Sequence, residues 1–241
     1  MAFQSSTVEY FDNGICLEGL FVYDDSLTQP LPTVLIAHAW GGRDEFVCDK
    51  ARRVAELGYG AFALDMYGKG VLGSSVEENV ALMTPFMEDR AMLQRRIGAA
   101  LDAVRGLDSV DAGLIVAMGF CFGGLCVLDL ARTGADLCGV VSFHGLLAAP
   151  SNIEGQPINA RVLILHGHDD PMVPMEDIAR LQEDLTRAGC DWQFHSYGKT
   201  MHAFTNPVAN DPGFGTVYHP LADRRSWQTM QMFFEECFDD R

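Results

Sequence analysis

Lysine is scarce in this sequence: three residues, Lys50, Lys69 and Lys199, in a chain of 241. No basic run joins them, and the formal charge is −16. The clustered cations that a phosphate backbone requires are missing, which excludes nucleic acid as a partner. Long apolar runs are missing too. Stretches such as Leu114–Met118 fall far short of the roughly 20 residues a helix needs to cross a bilayer, so no membrane partner is expected. Residues Met1–Ser6 have neither a basic n-region nor an apolar h-region, so no secretory signal is expected. The seven cysteines are odd in number, irregularly spaced and contain no CxxC pair. They read as reduced thiols of a cytoplasmic protein, not as a disulfide framework.

Apolar residues make up 48% of the chain, enough for a sizeable core, which excludes intrinsic disorder. No repeat or composition break marks a linker, so residues 1–241 read as one domain. Short β-rich runs alternate with helical patterns. Val8–Tyr23 predicts a hairpin turning at Asp12-Asn13-Gly14. Pro30-Leu31-Pro32 predicts a break, and Thr33–Ala37 a strand buried on both faces. Further strands are predicted at Gly60–Leu64, Leu114–Met118, Gly139–Phe143, Val162–Leu165 and Trp192–Tyr197. Helices are predicted over Phe46–Leu57, Pro85–Val104 (as one long element), Gly123–Ala131, Met175–Ala188 and Asp223–Phe238. Loops are expected at Gly68–Gly73, Ala149–Asn159 and Ala203–Ala222. Such alternation implies βαβ units, a parallel sheet, and reactive groups in loops at the carboxyl ends of strands.

Three of those loops carry chemistry. Gly119-Phe120-Cys121-Phe122-Gly123 follows a strand and opens a helix, which is the setting of a nucleophile elbow with cysteine as the nucleophile. The turn leaves no room for side chains two positions to either side, and the helix N-terminus favours a thiolate. Cys16, Cys48, Cys126, Cys138, Cys190 and Cys237 lack that frame and read as small buried apolar residues. His166-Gly167-His168-Asp169-Asp170-Pro171 follows the next strand but one, where the acid of such a site belongs; Asp169 and Asp170 both qualify. The His-x-His and acidic pairing there does not match a zinc spacing, and no metal or organic cofactor is implied. His202 stands just after the last strand, at the place of the general base. His38, His144, His166, His195 and His219 break the chain order or lie elsewhere. Backbone N–H groups of Phe122 and Trp40 are the expected oxyanion donors.

The motifs Gly-x-Cys-x-Gly-Gly, His-Gly-x-x-Asp-Pro-x-Val-Pro and Met-His-Ala-Phe-Thr-Asn-Pro, in that order, resemble the dienelactone hydrolase family, from about Thr33 to Phe238. Asp223-Arg224-Arg225-Ser226-Trp227 is similar to the family's final helix. The resemblance implies an α/β-hydrolase fold, three layers with a mostly parallel sheet, here preceded by the hairpin. It also implies a triad, which falls on Cys121, His202 and Asp170, the acid standing four residues before the proline of the Val-Pro pair. Two positions depart from the members that cleave dienelactones. Ala39 replaces a glutamate tied to cysteine activation, with Asp44 or Glu45 as substitutes, and Asn206 replaces an arginine that grips the substrate carboxylate.

The expected function is hydrolysis of a small ester, lactone or thioester through an acyl-cysteine, with Trp40, Phe120, Phe122, Phe204 and Asn206 flanking the site. Arg43 and Arg90 are the cations that could approach it. The alternatives are a thiol-redox sensor or a non-catalytic member of the fold. Monomer and homodimer both remain open.

Overall fold

The computed structural model describes residues 3–153 and 156–239, so residues 154 and 155 of the expected Ala149–Asn159 loop lie outside the described residues. Its centre is an eight-stranded sheet of β1 (Phe3–Asp12), β2 (Ile15–Asp24), β3 (Leu31–Ala37), β4 (Gly60–Ala63), β5 (Val110–Phe120), β6 (Gly139–Phe143), β7 (Arg161–Gly167) and β8 (Trp192–Tyr197). The spatial order is β1-β2-β4-β3-β5-β6-β7-β8. β1 and β2 pair antiparallel, β2 meets β4 antiparallel, and from β4 to β8 every pairing is parallel. The β1–β2 loop is Asn13-Gly14, with φ of 48° and 79°. Two positive φ values define the tight turn whose twist suits a two-residue hairpin.

Alternation along the central strands divides the core in two. Leu35, Ala37, Ile115 and Ala117 face one side, where they meet α3 (Arg90–Arg105), α4 (Phe122–Arg132) and α5 (Met175–Arg187). Val34, Ile36, Val116 and Met118 face the other, against α1 (Glu45–Ala55) and α6 (Pro220–Asp239). These side chains are at most 1% exposed. Each of the larger ones contributes roughly 1.5–3 kcal/mol by leaving water. The result is three layers: an α/β-hydrolase fold with an antiparallel hairpin at its amino end.

Three elements differ from the sequence expectation. Pro32 lies inside β3 and does not break it, since the first residues of a strand tolerate a missing N–H. The helix expected over Pro85–Val104 is two: α2 (Val76–Glu88) ends, and α3 begins, at Asp89. The Asp89 carboxylate accepts from the Met92 N–H and caps α3. Pro85 falls within α2, and the Thr84 hydroxyl donates to the Val80 carbonyl one turn back. Finally, the loop expected over Ala203–Ala222 holds a small hairpin of β9 (Asn210–Asp211) and β10 (Thr216–Val217).

Candidate active site

Cys121 stands between β5 and α4 with φ 55° and ψ −115°, a conformation costly for any residue with a Cβ. Two close approaches hold it there. A Cβ on Gly119 would lie 2.1 Å from the Gly123 carbonyl oxygen, and one on Gly123 would lie 2.3 Å from that of Ala37. The Cys121 N–H donates to the Phe143 carbonyl (3.0 Å), and its own carbonyl accepts from the Gly124 N–H (3.0 Å). The thiol is thereby lifted above the sheet and is partly exposed. The adjacent Phe122 N–H is the first of those a helix leaves without an internal acceptor.

Asp170 follows β7. Its N–H donates to the Gly167 carbonyl, one carboxylate oxygen accepts from the Met172 N–H (2.9 Å), and the other lies 2.7 Å from His202 Nδ1. Asp169 is exposed, and its backbone N–H donates to the Thr200 carbonyl. His202 follows β8 and is 1% exposed. The small hairpin pins its backbone: the His202 N–H donates to the Gly215 carbonyl, and its carbonyl accepts from the Val217 N–H. Nε2 makes no hydrogen bond of normal length and angle. The thiol of Cys121 is close enough to bear on it. Burial opposes charging of this ring, yet a negative Cys121 and the Asp170 bond outweigh burial and raise the imidazole to about 10.

The other histidines have separate occupations. His38 accepts the Met66 N–H at Nε2 (3.1 Å) and donates from Nδ1 to the Ala39 carbonyl (2.6 Å). His144 bonds the Thr205 hydroxyl through Nε2 (2.8 Å) and meets the His202 ring edge-on at 5.2 Å; burial holds its pKa well below the usual range. His166 is buried against Phe194, with its pKa lowered by burial. His195 lies within β8, and His219 accepts the Ala222 N–H near the start of α6. Among the described residues no group of three or more His, Cys, Asp or Glu side chains is arranged to hold a metal ion.

Trp40 lies in the loop after β3, partly exposed, its ring stacked on Phe214 at 5.6 Å and its carbonyl accepting from the Tyr67 hydroxyl (2.9 Å). Phe120 and Phe204, expected to flank substrate, are fully buried. Phe120 points to the α1 side of the sheet and stacks on Phe143; Phe204 fills the space between His144 and Tyr197. Alternation along β5 accounts for this, since it turns Phe120 to the face opposite the one that packs on α4. The Asn206 side chain accepts from the Val208 N–H and serves its own turn. Asp44 caps α1 through the Val47 N–H, and Glu45 pairs with Arg52 on the surface. Arg43 is bound to Glu18, and Arg90 grips Asp129 with two bonds. A cavity of about 570 Å³ is lined in part by Arg132, Asp184 and Arg187, and Cys121, Asp170 and His202 are not among its lining residues. Sequence reasoning passed over Tyr67: it sits in a loop after a strand, and nothing in its neighbours announces a hydroxyl aimed at a carbonyl 27 positions away.

The chain matches the model of the dienelactone hydrolase family over residues 17–238. It is 37% identical over 152 residues to an uncharacterised protein of Caenorhabditis elegans, covering 61% of this chain and 94% of that one. It is 26% identical to a candidate carboxymethylenebutenolidase of Methylorubrum extorquens, covering 86% and 72%. Among solved structures, a dienelactone hydrolase-like promiscuous phosphotriesterase from metagenomic libraries superimposes with a TM-score of 0.94 at 36% identity, covering 99% of this chain and all of the other. Built on an α/β-hydrolase sheet and matched along nearly its whole length, the chain is a hydrolase that belongs to the dienelactone hydrolase family.

Proposed function

We propose that the protein cleaves small carboxylic esters, lactones or thioesters through an acyl-cysteine, with Cys121 as nucleophile, His202 as general base and acid, and Asp170 as its orienting carboxylate. The observation that carries this reading is the 2.7 Å bond from Asp170 to His202 Nδ1, on a ring that the Cys121 thiol is close enough to influence. A free thiol is only a few per cent ionised at neutral pH, so the base must take its proton. With the imidazole raised to about 10, Nε2 holds that proton in a thiolate–imidazolium pair before Sγ attacks the acyl carbon. The N–H groups of Phe122 and Trp40 meet the resulting oxyanion, an interaction worth several kcal/mol of barrier. Collapse breaks the bond to the leaving oxygen or sulfur, which takes the proton from Nε2. His202 then deprotonates a water, the water attacks the acyl-cysteine, and the thiolate departs. The net reaction consumes one water and yields acid and alcohol, or acid and thiol.

A second reading, hydrolysis of phosphotriesters by the same residues, is supported by the likeness to the solved phosphotriesterase and is compatible with the engagement of Arg43 and Arg90 elsewhere. A triester is uncharged and has no carboxylate for a fixed cation to hold.

Cys121→Ala is expected to abolish p-nitrophenyl ester turnover and the acyl adduct detected by mass spectrometry. Cys126→Ala leaves both in place, because Cys126 is fully buried on α4. Loss of activity in Cys126→Ala with retention in Cys121→Ala would overturn the assignment. Acylation without turnover would mark a non-catalytic member, and oxidation without acylation a redox sensor.

A further inference from the structure

The donor attributed above to Trp40 is a backbone N–H in a loop, and such a donor needs something to aim it. Both peptide units that flank Trp40 are held by side chains, one buried and one half-buried. The unit between Ala39 and Trp40 is held by its carbonyl, which accepts from His38 Nδ1 at 2.6 Å. The unit between Trp40 and Gly41 is held by its carbonyl, which accepts from the Tyr67 hydroxyl at 2.9 Å. In a trans peptide the C=O and N–H point in opposite directions, so a carbonyl fastened toward His38 turns the Trp40 N–H away from it. The tautomer of His38 is fixed by the same contacts. Nε2 accepts the Met66 N–H, so the ring proton is on Nδ1. A second proton would set two donors against each other.

Tyr67 reaches the other donor as well. Its ring stacks on Phe122 at 5.9 Å and 21°, and its edge meets His38 at 4.9 Å. One side chain thus touches the residue that follows the nucleophile and the loop that supplies the second N–H.

We infer that Tyr67 and His38 are positioning residues for the oxyanion hole: they aim the Trp40 N–H and fix its place relative to that of Phe122. This rests on the reading of Cys121 as an acyl-accepting nucleophile. The hydrogen bonds of both residues go to backbone groups and not to the thiol, so their effect is expected on a step that develops an oxyanion. Alkylation of Cys121 by iodoacetamide displaces iodide from a saturated carbon and develops none.

The test compares the two reactions in one variant. Tyr67→Phe keeps the ring and removes the hydroxyl. It is expected to lower kcat for a p-nitrophenyl ester by about tenfold to a hundredfold, less than the loss of a whole donor. KM and the rate of Cys121 alkylation stay within about twofold. At the other peptide, His38→Asn retains a donor for the Ala39 carbonyl and is expected to keep more kcat than His38→Leu. Alkylation that slows in step with turnover would show that Tyr67 acts on the thiol, and an unchanged kcat would show that it aims nothing; either overturns the inference. If Tyr67→Phe is poorly folded, the ratio of turnover to alkylation in the folded fraction decides. Activity that survives Cys121→Ala would remove the reading of the site itself, whereas an intact Tyr67→Phe enzyme whose activity needs Cys121 removes only this inference.

Discussion

Asp170 divides its two carboxylate oxygens between the Met172 N–H and His202 Nδ1. The first contact fixes the carboxylate, and the second fixes the imidazole. An amide at this position either offers an N–H to a nitrogen that already carries one or turns the ring to the wrong tautomer. Asp170→Asn is therefore expected to lower kcat by about 10³- to 10⁴-fold, the scale seen when a triad aspartate is amidated. Asp169→Asn is expected to stay within about threefold, because that side chain is exposed and the residue's bond to the Thr200 carbonyl is made by its backbone N–H. Kinetics of the two variants on one ester separate them, and equal losses would sink the assignment. The neighbours differ by one residue of rotation at the end of β7, which no composition or periodicity resolves. The family spacing to the Val-Pro proline chose between them. The places of Cys121 and His202 in the candidate site were legible for a firmer reason: each follows a strand of the parallel sheet, and the glycine frame around Cys121 has a steric cause. Tyr67 and the carbonyl it holds were not legible, because their contact exists only once β3 and β4 lie side by side.

Periodicity found most of the elements and failed where an end is made by a single side chain. Helical spacing runs on through Asp89, so nothing in the apolar pattern marked the gap between α2 and α3; the gap is made by the Asp89 cap. Pro85 pointed the wrong way, since proline favours the first turn of a helix yet here lies near the end of α2. Lys50 on α1 is a further case. Its spacing places it on the buried face, 4% exposed, with Nζ 3.5 Å from the Thr205 carbonyl and 3.8 Å from Asp223. The rings of Phe46, Phe120 and Trp227 lie 4.9, 5.4 and 5.4 Å from the ammonium. Burial lowers its pKa to about 8 against an unfolded value of 10.5, with Asp223 offsetting part of the loss. Below pH 8 the amine is charged in both states, and the cost of burying that charge is fully present. Between 8 and 10.5 the unfolded chain binds a proton that the native one does not, so this contribution to stability rises with pH. Lys50→Met is thus expected to raise stability at pH 7 by on the order of 1–3 kcal/mol, with the gain fading toward pH 10.5. Urea midpoints at pH 7 and pH 10 test it. A midpoint lowered at pH 7 would mean that the three rings stabilise the ammonium by more than burial costs it.

At the scale of the whole molecule, charge and fold act on the substrate together. The chain carries a formal charge of −16, a field that disfavours anions at long range. At short range, gripping a carboxylate takes a fixed cation, usually a guanidinium with two free donors. Position 206 supplies an amide that is used on Val208, Arg43 is committed to Glu18, and Arg90 is committed to Asp129 and the Ala148 carbonyl. Freeing Arg90 would take two charge-assisted bonds from a carboxylate with no exposed surface and leave it only Arg132 and Gln94, which makes its recruitment costly. The protein is therefore expected to prefer neutral esters and lactones to carboxylate-bearing dienelactones. The measurement is kcat/KM for a matched pair, a free-acid lactone and its methyl ester, at low and high salt. The ester should lead by about tenfold, or ~1.4 kcal/mol. Salt screens the repulsive field and narrows the gap without closing it, because the missing short-range contact does not depend on ionic strength. A tenfold preference for the free acid that weakens with salt would show the reverse: a guanidinium leaves its carboxylate partner to anchor the substrate, and the substitution at position 206 is compensated from elsewhere in the fold.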